Sequence, residues 1–166
     1  MTKNAARATH FLFALAVVLL DHWTKRLAAG RIRLYDHVQI IPGFFRLTHT
    51  ENSGAAFSLF ADHPARWKTE LLIAFSVIAM LIVLVLLWKQ TRPVTISAIA
   101  LSLILGGAAG NLWDRLATGH VVDFLLFYVK QYQWPVFNLA DSSIVVGAGL
   151  LVLEILFSGR EVRDHP

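Results

Sequence analysis

Cysteine is absent from the chain. That excludes disulfides, thiolate metal sites and a cysteine nucleophile, and the chain cannot itself be lipidated on cysteine. Charge is scarce as well: 16% of the residues are Asp, Glu, Lys or Arg, against about a quarter in an average soluble domain. The deficit is uneven, because the apolar residues, 56% of the total, gather in long runs that point to lipid and not to a water-soluble core. The formal net charge of +4 comes with no dense basic run and no recognition motif, so nucleic acid is not an expected partner. Bases near the ends of apolar runs set topology or meet anionic headgroups instead. Internal repeats and low-complexity tracts are also lacking. No two of His22, His49, His63 and His120 stand at useful helical spacing, so neither metal nor cofactor is expected.

What is present is a set of membrane spans. With 166 residues the chain reads as one membrane-embedded domain, residues 1–166. Four segments are long enough to cross a bilayer as helix, which takes about 20 mainly apolar residues: 9–29, 69–88, 94–113 and 139–157. The first has a rival reading as a signal peptide, since Lys3 and Arg7 precede the apolar run 11–20. Asp21, Lys25 and Arg26 follow at once, and the stretch Leu27-Ala28-Ala29-Gly30 lacks the small residue expected at −3, which favours an uncleaved span. Four spans put both termini on one side, with Lys3, Arg7, Lys89, Arg92, Arg160 and Arg163. The opposite side carries the longer loop 30–68 and a shorter one containing Lys130. By density of basic residues the termini are expected in the cytoplasm. Within the long loop, Ile32, Leu34, Val38 and Ile40 alternate with polar residues, Pro42-Gly43 marks a turn, and 44–50 reads as a second strand. The expected fold class is therefore an α-helical integral membrane protein with four transmembrane helices and a small extracytoplasmic β-strand element in the first outer loop.

Ionisable residues in such spans are expensive and functional by default, and here they collect. Asp21, His22, Lys25 and Arg26 lie late in the first span; Asn111, Asp114 and Arg115 end the third, with Asp123 just beyond; Asn138 and Asp141 open the fourth. Antiparallel spans bring these positions to one face of the bilayer. Asp123 and Asp141 sit in apolar surroundings, Val121-Val122-Asp123-Phe124 and Phe137-Asn138-Leu139-Ala140-Asp141. Two carboxylates brought together away from water do not both ionise easily; one can draw a proton from water while the other donates to a carbonyl oxygen. That is amide hydrolysis without metal or covalent intermediate. Singly, each aspartate reads as well as a mere helix cap or headgroup contact as it does as a catalytic group. Asn52 with Gly54 reads by itself as a turn. Asn111 and Arg115 share a helix face, and Arg115 also suits the negative end of its helix. Asp21 and Lys25 read as an intrahelical ion pair or as contributors to the chemistry. Gly106, Gly107 and Gly110 fit close helix packing, and Trp23, Trp113 and Trp134 fit interface anchors.

The order of these motifs resembles the lipoprotein signal peptidase (signal peptidase II) family along nearly the whole chain. The matching runs are Asp21-His22-Trp23-Thr24-Lys25, Asn52-Ser53-Gly54-Ala55-Ala56-Phe57-Ser58, Gly106-Gly107-Ala108-Ala109-Gly110-Asn111-Leu112-Trp113-Asp114-Arg115, Val121-Val122-Asp123-Phe124 and Phe137-Asn138-Leu139-Ala140-Asp141. The resemblance implies an aspartic endopeptidase with catalytic Asp123 and Asp141. It implies that Asn52, Asn111, Arg115 and Asn138 line the site, with Asp21 and Lys25 as further motif residues. It implies a prolipoprotein substrate carrying diacylglyceryl-cysteine, cut just before that cysteine, and a monomer in contact with membrane lipid in the bacterial cytoplasmic (inner) membrane, its site near the outer surface. An ion-coupled transporter and a non-catalytic scaffold are the rival classes. The first more often shows paired halves or broken spans, and the second leaves the convergent aspartates unexplained.

Overall fold

The computed structural model describes residues 2–54, 66–92 and 94–161, without the side chains of 66–68 and 158–161. Positions 55–58 of the second motif, His63 and Arg163, and the charged groups of Arg66, Lys68 and Arg160, lie outside the described residues.

Helix α1 (Lys3–Arg31) has 29 residues. At 1.5 Å per residue it is about 43 Å long, more than the hydrocarbon core, so both its ends reach the interfaces. The Thr2 hydroxyl caps it by accepting from the Ala5 N–H. Helix α2 (Arg66–Lys89) follows the outer loop. Helix α3 (Ile96–Thr118) opens on the Thr95 cap and closes on Gly119, whose φ of 81° is the left-handed conformation that ends helices. It runs five residues past the expected boundary at 113 and makes Asp114 and Arg115 helical. Helix α4 (Leu139–Glu161) completes the four, each long and apolar enough to cross a membrane.

The centre of the bundle is α3, against which the other three pack. Its glycines permit this. A Cβ on Gly106 would stand 2.6 Å from the Ala14 carbonyl of α1, and one on Gly107 would collide with the Ala140 carbonyl of α4. From the other side, Gly147 of α4 admits the Ala100 carbonyl of α3. This is the small-residue packing expected of helices that gain nothing from burying apolar surface out of lipid. Ala14, Val83, Leu87, Leu101 and Leu105 form the core. Leu81, Ile82, Val85, Val145 and Ile155 face outward, as a lipid-bathed surface requires.

The outer-loop sheet differs from the expected pair of strands in two ways. First, the alternation from Ile32 to Ile40 is not one strand. Ile32 is buried and ends α1, its N–H bonded to the Ala28 carbonyl at 2.9 Å. A turn follows, with Asp36 N–H to the Arg33 carbonyl and Tyr35 at φ 63°. Only β1 (His37–Ile41) is strand. The backbone groups of 32–36 are claimed elsewhere: the His49 ring bonds the Ile32 carbonyl at 2.9 Å, and Tyr35 N–H donates to the His49 carbonyl. Second, among the described residues the sheet has four strands, in the order β1, β2 (Phe45–Asn52), β3 (Val121–Val129), β4 (Tyr132–Gln133), all antiparallel. The Pro42-Gly43 turn joins β1 to β2, with Gly43 at φ 76°. Strand β3 carries Asp123. Apart from Asp123 the strand is apolar, and Val121 to Tyr128 are buried or half-buried, as in a strand covered on both faces.

Candidate active site

Sheet and bundle meet where the chemistry gathers. Strand β3 pairs Asp123 with Thr50 of β2 and Val121 with Asn52. A bulge in β2 between Leu47 and Thr50 resets that register. Further along β3, the Leu125 N–H and C=O both bond Phe137. That pins the residue before Asn138, so the first turn of α4 begins beside Asp123.

At that turn Asn138 and Asp141 form a reciprocal cap. The Asn138 Oδ1 accepts from the Asp141 N–H at 2.9 Å, and the Asp141 Oδ2 accepts from the Asn138 N–H at 3.2 Å. The capping reading of Asp141 is therefore correct, and it does not compete with a place in the site. The Asn138 Nδ2 points the other way and donates to Asp123 Oδ1 at 2.7 Å. From β2, Asn52 Nδ2 donates to Asp123 Oδ2 at 2.9 Å while its Oδ1 accepts from the Gly54 N–H at 2.9 Å. The turn reading of Asn52 and the site reading are thus the same arrangement. From α3, Asn111 Nδ2 donates to Asp141 Oδ1 at 2.7 Å. Its own Oδ1 accepts from Lys25 Nζ at 2.8 Å and Asn138 Nδ2 at 3.2 Å.

A pattern runs through these three amides. Each has its oxygen held by a donor that cannot reverse: the Gly54 N–H, the Asp141 N–H and the Lys25 ammonium. Each therefore turns its NH2 to an aspartate. The carboxylates are bridged through Asn138 and Asn111, without a direct hydrogen bond to one another. Asp123 is 3% exposed. Burial pushes its carboxyl up to about 6; the hydrogen bond from Asn52 opposes the rise and the charge of Asp141 adds to it. Asp141 is only half-buried and is open to approach.

Behind the asparagines lies a charged layer. Lys25, 3% exposed, places its ammonium 2.6 Å from Asp21 Oδ2 and 2.7 Å from Asp114 Oδ2, besides its bond to Asn111. It is both an intrahelical partner of Asp21 and a support of the site. Asp21, fully buried, accepts the Ala140 N–H at 2.9 Å and so helps to cap α4 from α1. It fits because Gly110 has no side chain: a Cβ there would stand 2.5 Å from Asp21 Oδ2. Arg115 makes no hydrogen bond to either catalytic candidate. Its Nη1 donates to the Asn111 carbonyl at 3.4 Å, its Nε has no partner among the described residues, and it lies within electrostatic reach of Asp141, Asp123 and Asp114. All eight residues expected at the site stand at this one end. Asp114 joins them, although the sequence by itself assigns it no role. Its spacing of three from Asn111 was the available signal, since i and i+3 share a helix face. Among the described residues no group of three His, Asp or Glu side chains is arranged to hold a metal.

Comparison with known proteins identifies the family. Residues 13–157 match the sequence profile of a family described as signal peptidase (SPase) II. The chain is 41% identical over 151 residues to the lipoprotein signal peptidase of Solibacter usitatus (strain Ellin6076), covering 91% of this chain and 92% of that one. It is 44% identical over 166 residues to the lipoprotein signal peptidase of Cupriavidus taiwanensis (strain DSM 17343 / BCRC 17206 / CCUG 44338 / CIP 107171 / LMG 19424 / R1), covering 98% and 91%. A solved structure described as a bacterial membrane enzyme superposes with a TM-score of 0.82 at 30% identity, over 96% of this chain and 94% of that one.

Proposed function

The chain belongs to the signal peptidase II family, and from that premise we propose that Asp123 and Asp141 are its two catalytic carboxylates. The enzyme is an aspartic endopeptidase that removes signal peptides from prolipoproteins. One observation carries the site assignment. Three asparagine amides from β2, α3 and the α4 cap converge on these two carboxylates and on no other acid. An arrangement that only capped a helix would need one of them.

The roles divide by surroundings. Asp123, buried and titrating near 6, holds a proton close to working pH and gives it to the scissile carbonyl oxygen. Asp141, half-buried at the start of α4, takes the proton of the attacking water. Water adds to the carbonyl carbon, the tetrahedral intermediate collapses, and the leaving amine recovers a proton from the dyad. Asn111 and Asn138 orient the carboxylates, and Lys25 with Asp21 and Asp114 orients Asn111. Arg115 supplies positive potential without occupying either carboxylate.

The bond cut is the one before a diacylglyceryl-cysteine, in a substrate whose signal helix packs against the spans while its acyl chains stay in lipid. The enzyme works as a monomer in the bacterial inner membrane, with cytoplasmic termini and its site at the outer surface. The position of the dyad at the end of α3 and the start of α4, level with the sheet, supports that placement. The apolar residues Leu34, Val38 and Ile40 remain 43–48% exposed, which supports a role for β1 and the turn before it as a cover over bound substrate. The test is cleavage of a lipidated prolipoprotein peptide by purified Asp123→Asn and Asp141→Asn variants. Each is expected to insert normally and to lose turnover; near-normal turnover in either removes that residue from the dyad.

A further inference from the structure

The end of the bundle away from the carboxylates carries a second built arrangement that peptide cleavage does not use. Arg7 of α1 lays its guanidinium over the indole of Trp88, 4.3 Å from the ring centroid. Its Nε donates to the Trp88 carbonyl at 3.1 Å. That carbonyl belongs to the last turn of α2, where carbonyls have no partner within the helix. Phe11, one turn further along α1, meets the same indole with centroids 6.4 Å apart. The guanidinium is thus fixed by two contacts, and neither of its terminal nitrogens bonds a described residue. Beside it runs a groove of about 410 Å³, lined by Phe11, Leu84, Val85, Trp88 and Lys89. Lys3 and Arg92 stand at the same end. The acidic side chain described there, Glu154, is engaged by the Ser97 hydroxyl at 2.6 Å.

We propose that this groove binds an anionic phospholipid, with the phosphate between the terminal nitrogens of Arg7 and the ammonium of Lys89 and an acyl chain along Phe11, Leu84 and Val85. The shape and the charge argue together. The floor is apolar and faces the lipid; the mouth is cationic and lies at the level of the Trp88 indole, where a headgroup sits. A guanidinium held flat with its paired N–H groups free matches phosphate oxygens. Basic residues that only biased topology would need no fixed geometry. A zwitterionic lipid brings its own cation to the same mouth and is disfavoured by the surrounding positive charge.

Native mass spectrometry of the purified full chain in neutral detergent, with phosphatidylglycerol or phosphatidylcholine added at equal concentration, tests this. Phosphatidylglycerol is expected to be retained well above phosphatidylcholine. The double variant Arg7→Gln/Lys89→Gln should lower its retention roughly 30-fold, while cleavage of a prolipoprotein peptide in the same detergent stays at the wild-type rate and reports an intact fold. Equal retention of the two lipids by the wild type, or undiminished phosphatidylglycerol retention by the variant, overturns the proposal. So does displacement of the lipid by millimolar inorganic phosphate, because the acyl chain would then contribute nothing. If the variant does not fold, the wild-type comparison of the two lipids decides alone.

Discussion

Replacing Asp123 by asparagine removes a negative charge from a position that is 3% exposed, and the consequence for stability can be worked out. Burial raises this carboxyl from 3.8 to about 6. A folded-state pKa above the unfolded one means that the folded chain holds the proton more tightly. The wild type therefore loses stability as pH rises from 3.8 to about 6 and is flat above that window. At pH 8 the charged group costs about 3 kcal/mol, and at pH 4 about 0.5 kcal/mol. Asparagine has no such pH dependence but brings a constant penalty. Asn52 and Asn138 both present NH2 groups to Asp123, and an amide offers only one oxygen to the two of them. The unmatched donors cost about 1–3 kcal/mol at any pH. The Asn variant should thus be the weaker protein at pH 4 and gain about 2.5 kcal/mol on the wild type by pH 8, while cleaving nothing. Equilibrium unfolding in detergent micelles at both pH values measures this. Titrating groups remote from Asp123 are common to the two proteins and cancel in the difference, whereas Asp141, which faces it, is coupled to it. Stability curves that run parallel across this range would refute the burial argument, whatever the variant does to turnover.

Three further outcomes follow from the same geometry. Lys25→Met leaves Asp21 and Asp114 facing each other without their cation, and should cost about 3–5 kcal/mol in unfolding measurements; adding Asp21→Asn should recover part of that loss. Leu34→Ser/Val38→Ser should raise KM in the peptide assay and leave kcat near wild type, since these exposed residues touch no catalytic group; an unchanged KM removes the cover role. A reporter fused after Lys89 should read as cytoplasmic, and one in the 30–68 loop as outside; the reverse result inverts the topology.

The four helices were legible because span length is set by the bilayer and the apolar runs are long and nearly free of charge. Their ends were less so. Residues 114–118 continue α3 because Arg115 and Thr118 satisfy backbone carbonyls and Gly119 supplies the stop, none of which hydropathy registers. Strand β3 was hidden for a related reason. A nine-residue strand that is apolar but for Asp123 shows no period that tells strand from helix, and its partner β2 is some seventy residues away. The Ile32 alternation misled because Ile32 serves the helix end and not the sheet. The site itself was readable through its motifs, whereas the links between its residues were not. That Asn52, Asn111 and Asn138 share one direction of donation depends on where the Gly54 and Asp141 N–H groups point, a property of the folded backbone.

The orientation of those three amides bears on how much the site must rearrange when a peptide arrives. In water, dipoles around a developing charge have to turn toward it, and that turning is a large part of the barrier. Here each dipole is already turned, and its reversal is blocked by a backbone N–H or an ammonium whose own position is set by the fold. The free energy of alignment was spent when the chain folded and is not charged again at each turnover. It follows that substitutions well behind the carboxylates, at Lys25 or at the Gly54 turn, act on the rate without touching substrate, by letting an amide rotate and restoring to the protein the reorganisation that water would have required.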